Sequence, residues 1–165
     1  MKSALIVLLF AASAFAQKPS GAATSACGPK DTSFDVKLDK TQHTLDEPDP
    51  GKALVYFILE NGAAARIGLD GAWVGANKNS SYFAVSVEPG EHHVCGDVRT
   101  PRGIPGVPVG LLHFTAEAGT VYYFDARVIF GAQSYLFFGA VDSDQAKQLI
   151  ASYPLSVSTP STPKK

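Results

Sequence analysis

The chain has 165 residues, with 14 Lys plus Arg against 15 Asp plus Glu and a formal charge of −1. That balance excludes the basic stripe a nucleic-acid partner demands to neutralise phosphates, and it leaves no polybasic patch for anionic lipid. The length suits one domain, large enough to bury roughly two-thirds of the surface its unfolded chain exposes.

Residues 1–16 read as a cleavable export leader. Lys2 supplies a short positive start, Ala4 to Phe15 is an apolar run, and Ala14-Phe15-Ala16 has the small-x-small pattern of a cleavage site. About 12 apolar residues are too few to cross a hydrocarbon core that needs roughly 20, so the run is no stable membrane anchor. Lipidation would require a cysteine directly after the run, whereas Cys27 lies beyond polar Gln17, Lys18 and Ser20. Cleavage near Ala16 removes Lys2, makes the mature chain one charge more negative, and delivers a periplasmic or secreted product.

Residues 17–32 are rich in Ser, Ala, Gly and Pro and read as a flexible N-terminal segment. Residues 154–165 (PLSVSTPSTPKK) read as a disordered tail. Neither end carries enough apolar side chains to offset the entropy of ordering it. Between them, residues 33–153 predict a two-layer antiparallel β-sandwich with one short C-terminal helix, because β-branched and aromatic runs are interrupted by turn signals every 8 to 12 residues.

Ser33 to Asp39 alternates Phe34, Val36 and Leu38 against polar neighbours, as a half-exposed strand does. Lys52 to Leu59 is apolar on both faces and reads as a central strand. Ala65 to Leu69 and Ala72 to Gly75 flank Asp70-Gly71, a two-residue hairpin signal whose type I′ turn needs positive φ at both central positions. Ser81 to Val87 and Glu91 to Val98 flank Pro89-Gly90, which predicts a second hairpin. Its pairing puts Phe83, Val85, Val87, His92 and Val94 on one face, and Tyr82, Ser86, His93, Cys95 and Asp97 on the other. Val109 to Ala116, Thr120 to Phe130 and Gln133 to Val141 carry eight aromatic residues between them and predict much of the core. Ser143 to Ser152 predicts a helix, N-capped by Asp142 or Ser143, with Ala146, Leu149 and Ile150 on one face. The aromatic strands look apolar on both faces, so the helix is expected to cover one of them; a dimer seam through Tyr122-Tyr123 and Tyr135 to Phe138 is the alternative.

Chemistry-bearing residues are few. His92 and His93 are successive on a strand and point to opposite faces, so they do not ligate one ion together, and the surrounding spacing matches no zinc site. No cofactor is expected. No G-x-S-x-G elbow presents a nucleophile, although His93, Asp97, Ser80 and Ser81 fall near one another in the predicted hairpin. Gly68-x-x-Gly71-x-x-x-Gly75 lacks the helix and lysine of a phosphate loop. In the loop Arg99 to Pro108, three prolines stiffen a segment carrying Arg99 and Arg102, which makes those arginines, with His93, the candidate ligand-binding residues for a carboxylate or phosphate.

Pro50-Gly51-Lys52-Ala53-Leu54-Val55-Tyr56-Phe57, Leu69-Asp70-Gly71 with Gly75, Ser81-Tyr82-Phe83, Pro89-Gly90-Glu91-His92 and Gly119-Thr120-Val121-Tyr122-Tyr123 together resemble the bacterial domain of unknown function 2846 family over about residues 50–150. The D-G-x-x-x-G and P-G-E-H elements also resemble the short PEGA-type modules that decorate envelope proteins. The resemblance implies an envelope protein without an established activity, and the chain departs from its lipoprotein members by lacking the lipidated cysteine.

Two cysteines in an exported chain predict a Cys27–Cys95 disulfide, with two buried thiols or an interchain bridge as alternatives. The functional expectation is a non-enzymatic, monomeric module that binds another envelope component, protein or glycan. Its rival is a small hydrolase or metal-dependent enzyme using His92 or His93 with Asp97.

Overall fold

The computed structural model describes residues 27–29, 31–42, 45–61, 64–99, 110–129 and 135–161. The leader, residues 17–26 and Arg102 therefore lie outside the described residues, and the side chains of Arg99 and Tyr135 are likewise not described. The elements in chain order are β1 (Ser33–Asp39), β2 (Ala53–Leu59), β3 (Ala64–Leu69), β4 (Ala72–Lys78), β5 (Ser81–Val87), β6 (Gly90–Arg99), β7 (Gly110–Ala116), β8 (Val121–Ile129), β9 (Tyr135–Ala140), α1 (Ser143–Ser152) and β10 (Leu155–Ser161). They form a six-stranded sheet, β1-β10-β5-β2-β8-β9, packed on a four-stranded sheet, β4-β3-β6-β7. The architecture is the expected all-β sandwich with one short helix.

The larger sheet is mixed rather than purely antiparallel. β2 runs parallel to β8, with Leu54 opposite Val121 through Leu59 opposite Ala126, and β10 meets β5 in parallel at Leu155 and Tyr82. Parallel neighbours need a crossover, and here the whole smaller sheet lies between β2 and β8 in the chain.

The Asp70-Gly71 hairpin forms as its sequence dictates, with φ of 50° and 88° at the two central residues. A register shift between Ile67 and Gly68 bulges the pairing with β4. The Pro89-Gly90 segment, by contrast, is not a hairpin. It carries the chain from β5 in the larger sheet to β6 in the smaller one, because β5 is already flanked by β2 and β10. Glu117-Ala118-Gly119 is likewise a crossing between sheets, from β7 to β8. Strand alternation survives the change of partner. Phe83, Val85, Val87 and Val94 still face the sandwich interior, but Tyr82 and Ser86 now lie on the outer face of one sheet while His93, Cys95 and Asp97 lie on the outer face of the other.

The interior is built on aromatic contacts: the Phe57 ring centre lies 5.5 Å from Phe83, 6.2 Å from Phe124 and 6.5 Å from Phe138. At Gly96 a Cβ would sit 2.6 Å from Phe138 Cζ, so glycine there lets β9 lie close over β6. β2 is buried along its whole length because its outer face is also covered: Leu54, Tyr56 and Ile58 pack with Tyr82 under Ala146 and Ile150 of α1. Asp142 caps α1, accepting from Asp144 N–H at 2.9 Å. The helix thus covers the second apolar face of the central strands, as the sequence predicts.

Both expectations for the chain ends need correction where the ends are described. Residues 155–161 are a strand, not a disordered tail: β10 pairs with all seven residues of β1. Its alternating Leu155, Val157 and Thr159 give enough β-propensity to be ordered once β1 and β5 supply partners, although its composition alone reads as linker. At the other end, Cys27 to Pro29 and Asp31 to Thr32 are held against the smaller sheet rather than hanging free, through the contacts described below.

Candidate functional site

The outer face of the smaller sheet carries most of the chemistry. β6 lies between β3 and β7 and points His93, Cys95 and Asp97 outward. Cys27 is joined to Cys95 by a disulfide, with Cα atoms 5.2 Å apart. Arg66 on β3 stands opposite Asp97 and pairs with its carboxylate. Arg66 also donates to the Thr32 carbonyl, and its guanidinium lies 4.1 Å from the centre of the Trp73 ring. Trp73 Nε1–H in turn donates to the Pro29 carbonyl at 2.7 Å. Arg66 is 7% exposed, so its charge must be matched, and Asp97, the carbonyl and the indole face do so. One disulfide, one guanidinium hydrogen bond and one indole hydrogen bond therefore hold the segment after residue 26 onto the sheet.

Of the site residues expected from sequence, the two whose side chains are described, His93 and Asp97, hold different partners. His93 faces His113 across β6 and β7, with ring centres 5.0 Å apart. Asp97 belongs to Arg66 and stands four residues, about 13 Å of strand, from His93. Arg99 ends β6 with its backbone paired to Ala64. Arg102 lies outside the described residues. The expected grouping of His93 with Asp97 in one catalytic cleft is thus not what β6 presents.

His92 points the other way and is structural. Its Nδ1 lies 2.6 Å from Asp70 Oδ2 and its Nε2 lies 2.7 Å from the Glu88 carbonyl. Both nitrogens face acceptors, which suits a doubly protonated, cationic ring. Burial pulls its pKa down, but the Glu88 carbonyl and the Asp70 carboxylate outweigh that and raise it above 6.5. Asp70 responds in kind: burial works to raise its pKa, while the His93 backbone N–H and His92 hold it below 3.8. The turn residue of the Asp-Gly hairpin therefore ties β3 to β6.

A second polar cluster, not predicted from sequence, lies on the outer face of the larger sheet. Asp125 of β8 is 2% exposed and sits 2.5 Å from Arg127 Nε. Burial pushes its pKa above 3.8; Arg127 opposes this, Glu60 adds to it and the Gly139 N–H offsets part. Arg127 reaches toward the ring of Phe137, its register partner on β9, at 5.9 Å. Phe137 is 45% exposed and Ile129 37%. The signal in the sequence is one acidic residue inside the apolar run VYYFDARVI, which places Asp125 and Arg127 on the same face of one strand.

Among the described residues no three His, Cys, Asp or Glu side chains gather as a structural metal centre requires, and no helix is long and apolar enough to cross a membrane. The fold and its surfaces define a disulfide-stapled β-sandwich. Comparison with protein-family models, with curated proteins and with solved structures finds no match for the chain.

Proposed function

We propose that the chain is an exported, non-catalytic β-sandwich module of the bacterial envelope that binds another envelope component, protein or glycan. The observation that carries this reading is the Cys27–Cys95 disulfide. It joins the segment next to a leader-like N-terminus to a fully buried position in a central strand, and such a bond persists in oxidising compartments. The resemblance to the domain of unknown function 2846 family points to the same setting. For the hydrolase reading, the cost is that Asp97 and His92 already hold structural partners in Arg66 and Asp70. The binding surface we favour is the outer face of β8 and β9, where a cationic and an aromatic side chain stand together at a partly exposed, apolar position, the composition of many interface hot spots.

The test is expression of the full chain with its leader, fractionation, and mass spectrometry of unreduced protein. The reading expects a chain shortened near Ala16, in the periplasm or medium, without alkylatable thiols, and co-sedimenting with purified envelope in a manner weakened by Phe137→Ala and Arg127→Ala. Retention in the cytoplasm with the leader intact, or no envelope association at any salt concentration, would overturn it.

A further inference from the structure

We propose that His93 and His113 form an exchangeable binding site for a late first-row divalent cation, Cu²⁺ foremost, on the outer face of β6 and β7. The two residues are direct partners in the antiparallel register, and their ring centres lie 5.0 Å apart at an interplanar angle of 45°. Stacking alone accounts for neither residue type, since any pair of flat or β-branched side chains fills such positions. The spacing suits chelation. An ion about 2.0–2.1 Å from one nitrogen of each ring lies about 3.2 Å from each ring centre, and two such radii span the observed separation at an angle of about 100°, close to the roughly 90° between neighbouring ligands of a tetragonal Cu²⁺ ion.

The scaffold under this pair is stiff. His93 N–H donates to Asp70 Oδ1 at 2.8 Å, and Cys95, two residues further along the same face, is clamped by the disulfide. Both thiols are therefore withdrawn from metal competition. His92, whose two ring nitrogens face Asp70 and the Glu88 carbonyl, does not compete either. His93 is half-buried and His113 exposed, so one wall of the site is fixed and the other open. Two imidazoles select copper, nickel and zinc over hard cations, with Cu²⁺ bound tightest. Glu91 stands on the same face two residues before His93, opposite Thr115, but does not gather with the two histidines as a third ligand. Water or a donor from a partner completes the coordination, which makes the site exchangeable rather than structural.

The experiment is titration of the oxidised, leader-free chain with Cu²⁺, Ni²⁺ and Zn²⁺ by calorimetry, with electron paramagnetic resonance on the Cu²⁺ form. The expected result is one Cu²⁺ per chain, two-nitrogen ligation, and weaker Ni²⁺ and Zn²⁺ binding. His93→Asn and His113→Asn each weaken Cu²⁺ binding tenfold or more through loss of the chelate, while His43→Asn leaves it unchanged. Melting curves of the metal-free variants that match the parent show that folding is intact. Absence of Cu²⁺ binding, or binding that survives either of the two surface substitutions unweakened, overturns the proposal.

Discussion

Replacing Ser156 with Ala tests how the sandwich closes its open side. β4 is an edge strand, and the backbone of Ala76 on it points outward to β10: Ser156 Oγ–H donates to the Ala76 carbonyl at 2.6 Å and the Ala76 N–H donates to Ser158 Oγ at 3.2 Å. Ser156 and Ala76 are each 4% exposed, so water does not replace a lost hydroxyl. A hydrogen bond contributes about 0.5–1.5 kcal/mol net, and a buried acceptor left without a donor costs about 1–3 kcal/mol. The substitution should therefore destabilise by about 1–3 kcal/mol, and at roughly 2–4 °C per kcal/mol for a domain of this size the melting temperature should fall by about 2–12 °C. Scanning calorimetry at fixed pH measures it, with Ser152→Ala as control: that hydroxyl bonds only the Gln148 carbonyl on an exposed face of α1, and its loss should stay within about 0.5 kcal/mol. Truncation after Pro154 removes all of β10 and leaves β1 without the seven-residue pairing it makes there, so the loss should exceed about 4 kcal/mol, a large part of the roughly 5–15 kcal/mol typical of a domain. A Ser156→Ala protein that melts within 1 °C of the parent would refute the capping argument, and a truncated chain with unchanged stability would refute the docking of β10 itself.

Gly71→Val should cost more than about 1 kcal/mol, because φ of 88° at that position is open to glycine and strained for a β-branched residue; urea denaturation that finds no change would remove the hairpin from the argument. Replacing Cys27 and Cys95 together with Ala opens a connection with a sequence separation of 68 and should lower stability by up to about 4 kcal/mol, read as a drop in the urea midpoint that reduction of the parent reproduces. Asp70→Asn should change the pH profile of stability in a defined direction. The folded pKa of His92 is raised, so its contribution is fully present below about pH 6.5 and is lost as pH rises through the folded value. That of Asp70 is lowered, so its contribution is present above about pH 3.8 and is lost as pH falls through the folded value. The gap in melting temperature between parent and Asp70→Asn should accordingly be widest between about pH 4 and 6.5 and narrow on the alkaline side; a gap that does not vary with pH contradicts the charged pair.

Much of the fold is legible because local chemistry decides it. Asp70-Gly71 specifies its turn without help from the rest of the chain, Asp142 caps α1, and the all-apolar stretch Ala53–Leu59 announces a strand buried on both faces. Sheet membership is not legible in the same way. Alternation says which side chains of β5 and β6 point inward, and both sheets of a sandwich satisfy that requirement, so Pro89-Gly90 reads equally as a hairpin or as a corner. Competition for neighbours decides, and β10 supplies a neighbour for β5 from residues whose Ser, Thr and Pro content looks like tail. The same non-local step separates the expected site. His93 and Asp97 share a face of β6 as predicted, but Arg66 arrives on Asp97 from β3 and His113 arrives opposite His93 from β7, and neither pairing is written in the spacing along β6.

This placement also decides where a partner gains affinity. Covering the Arg66–Asp97 pair would strip solvent from charges that already pair with each other and would add little, since a paired charge loses hydration without gaining a new partner. The His92–Asp70 pair is closed in the same way by Glu88 and the His93 backbone. At β8 and β9 the balance differs: Phe137 and Ile129 keep 45% and 37% of their surface in water, and Arg127 is 47% exposed while its guanidinium already leans toward an aromatic face. Burying those apolar surfaces returns about 25 cal/mol for each Å² removed from water, and the arginine is held in place before any partner arrives, which reduces the ordering cost. A cation at His93 and His113 would act on the opposite sheet and add positive charge on the same outer face as the matched Arg66–Asp97 pair. The two surfaces are therefore separable by mutation, and a substitution at Phe137 that abolishes envelope association should leave Cu²⁺ binding intact.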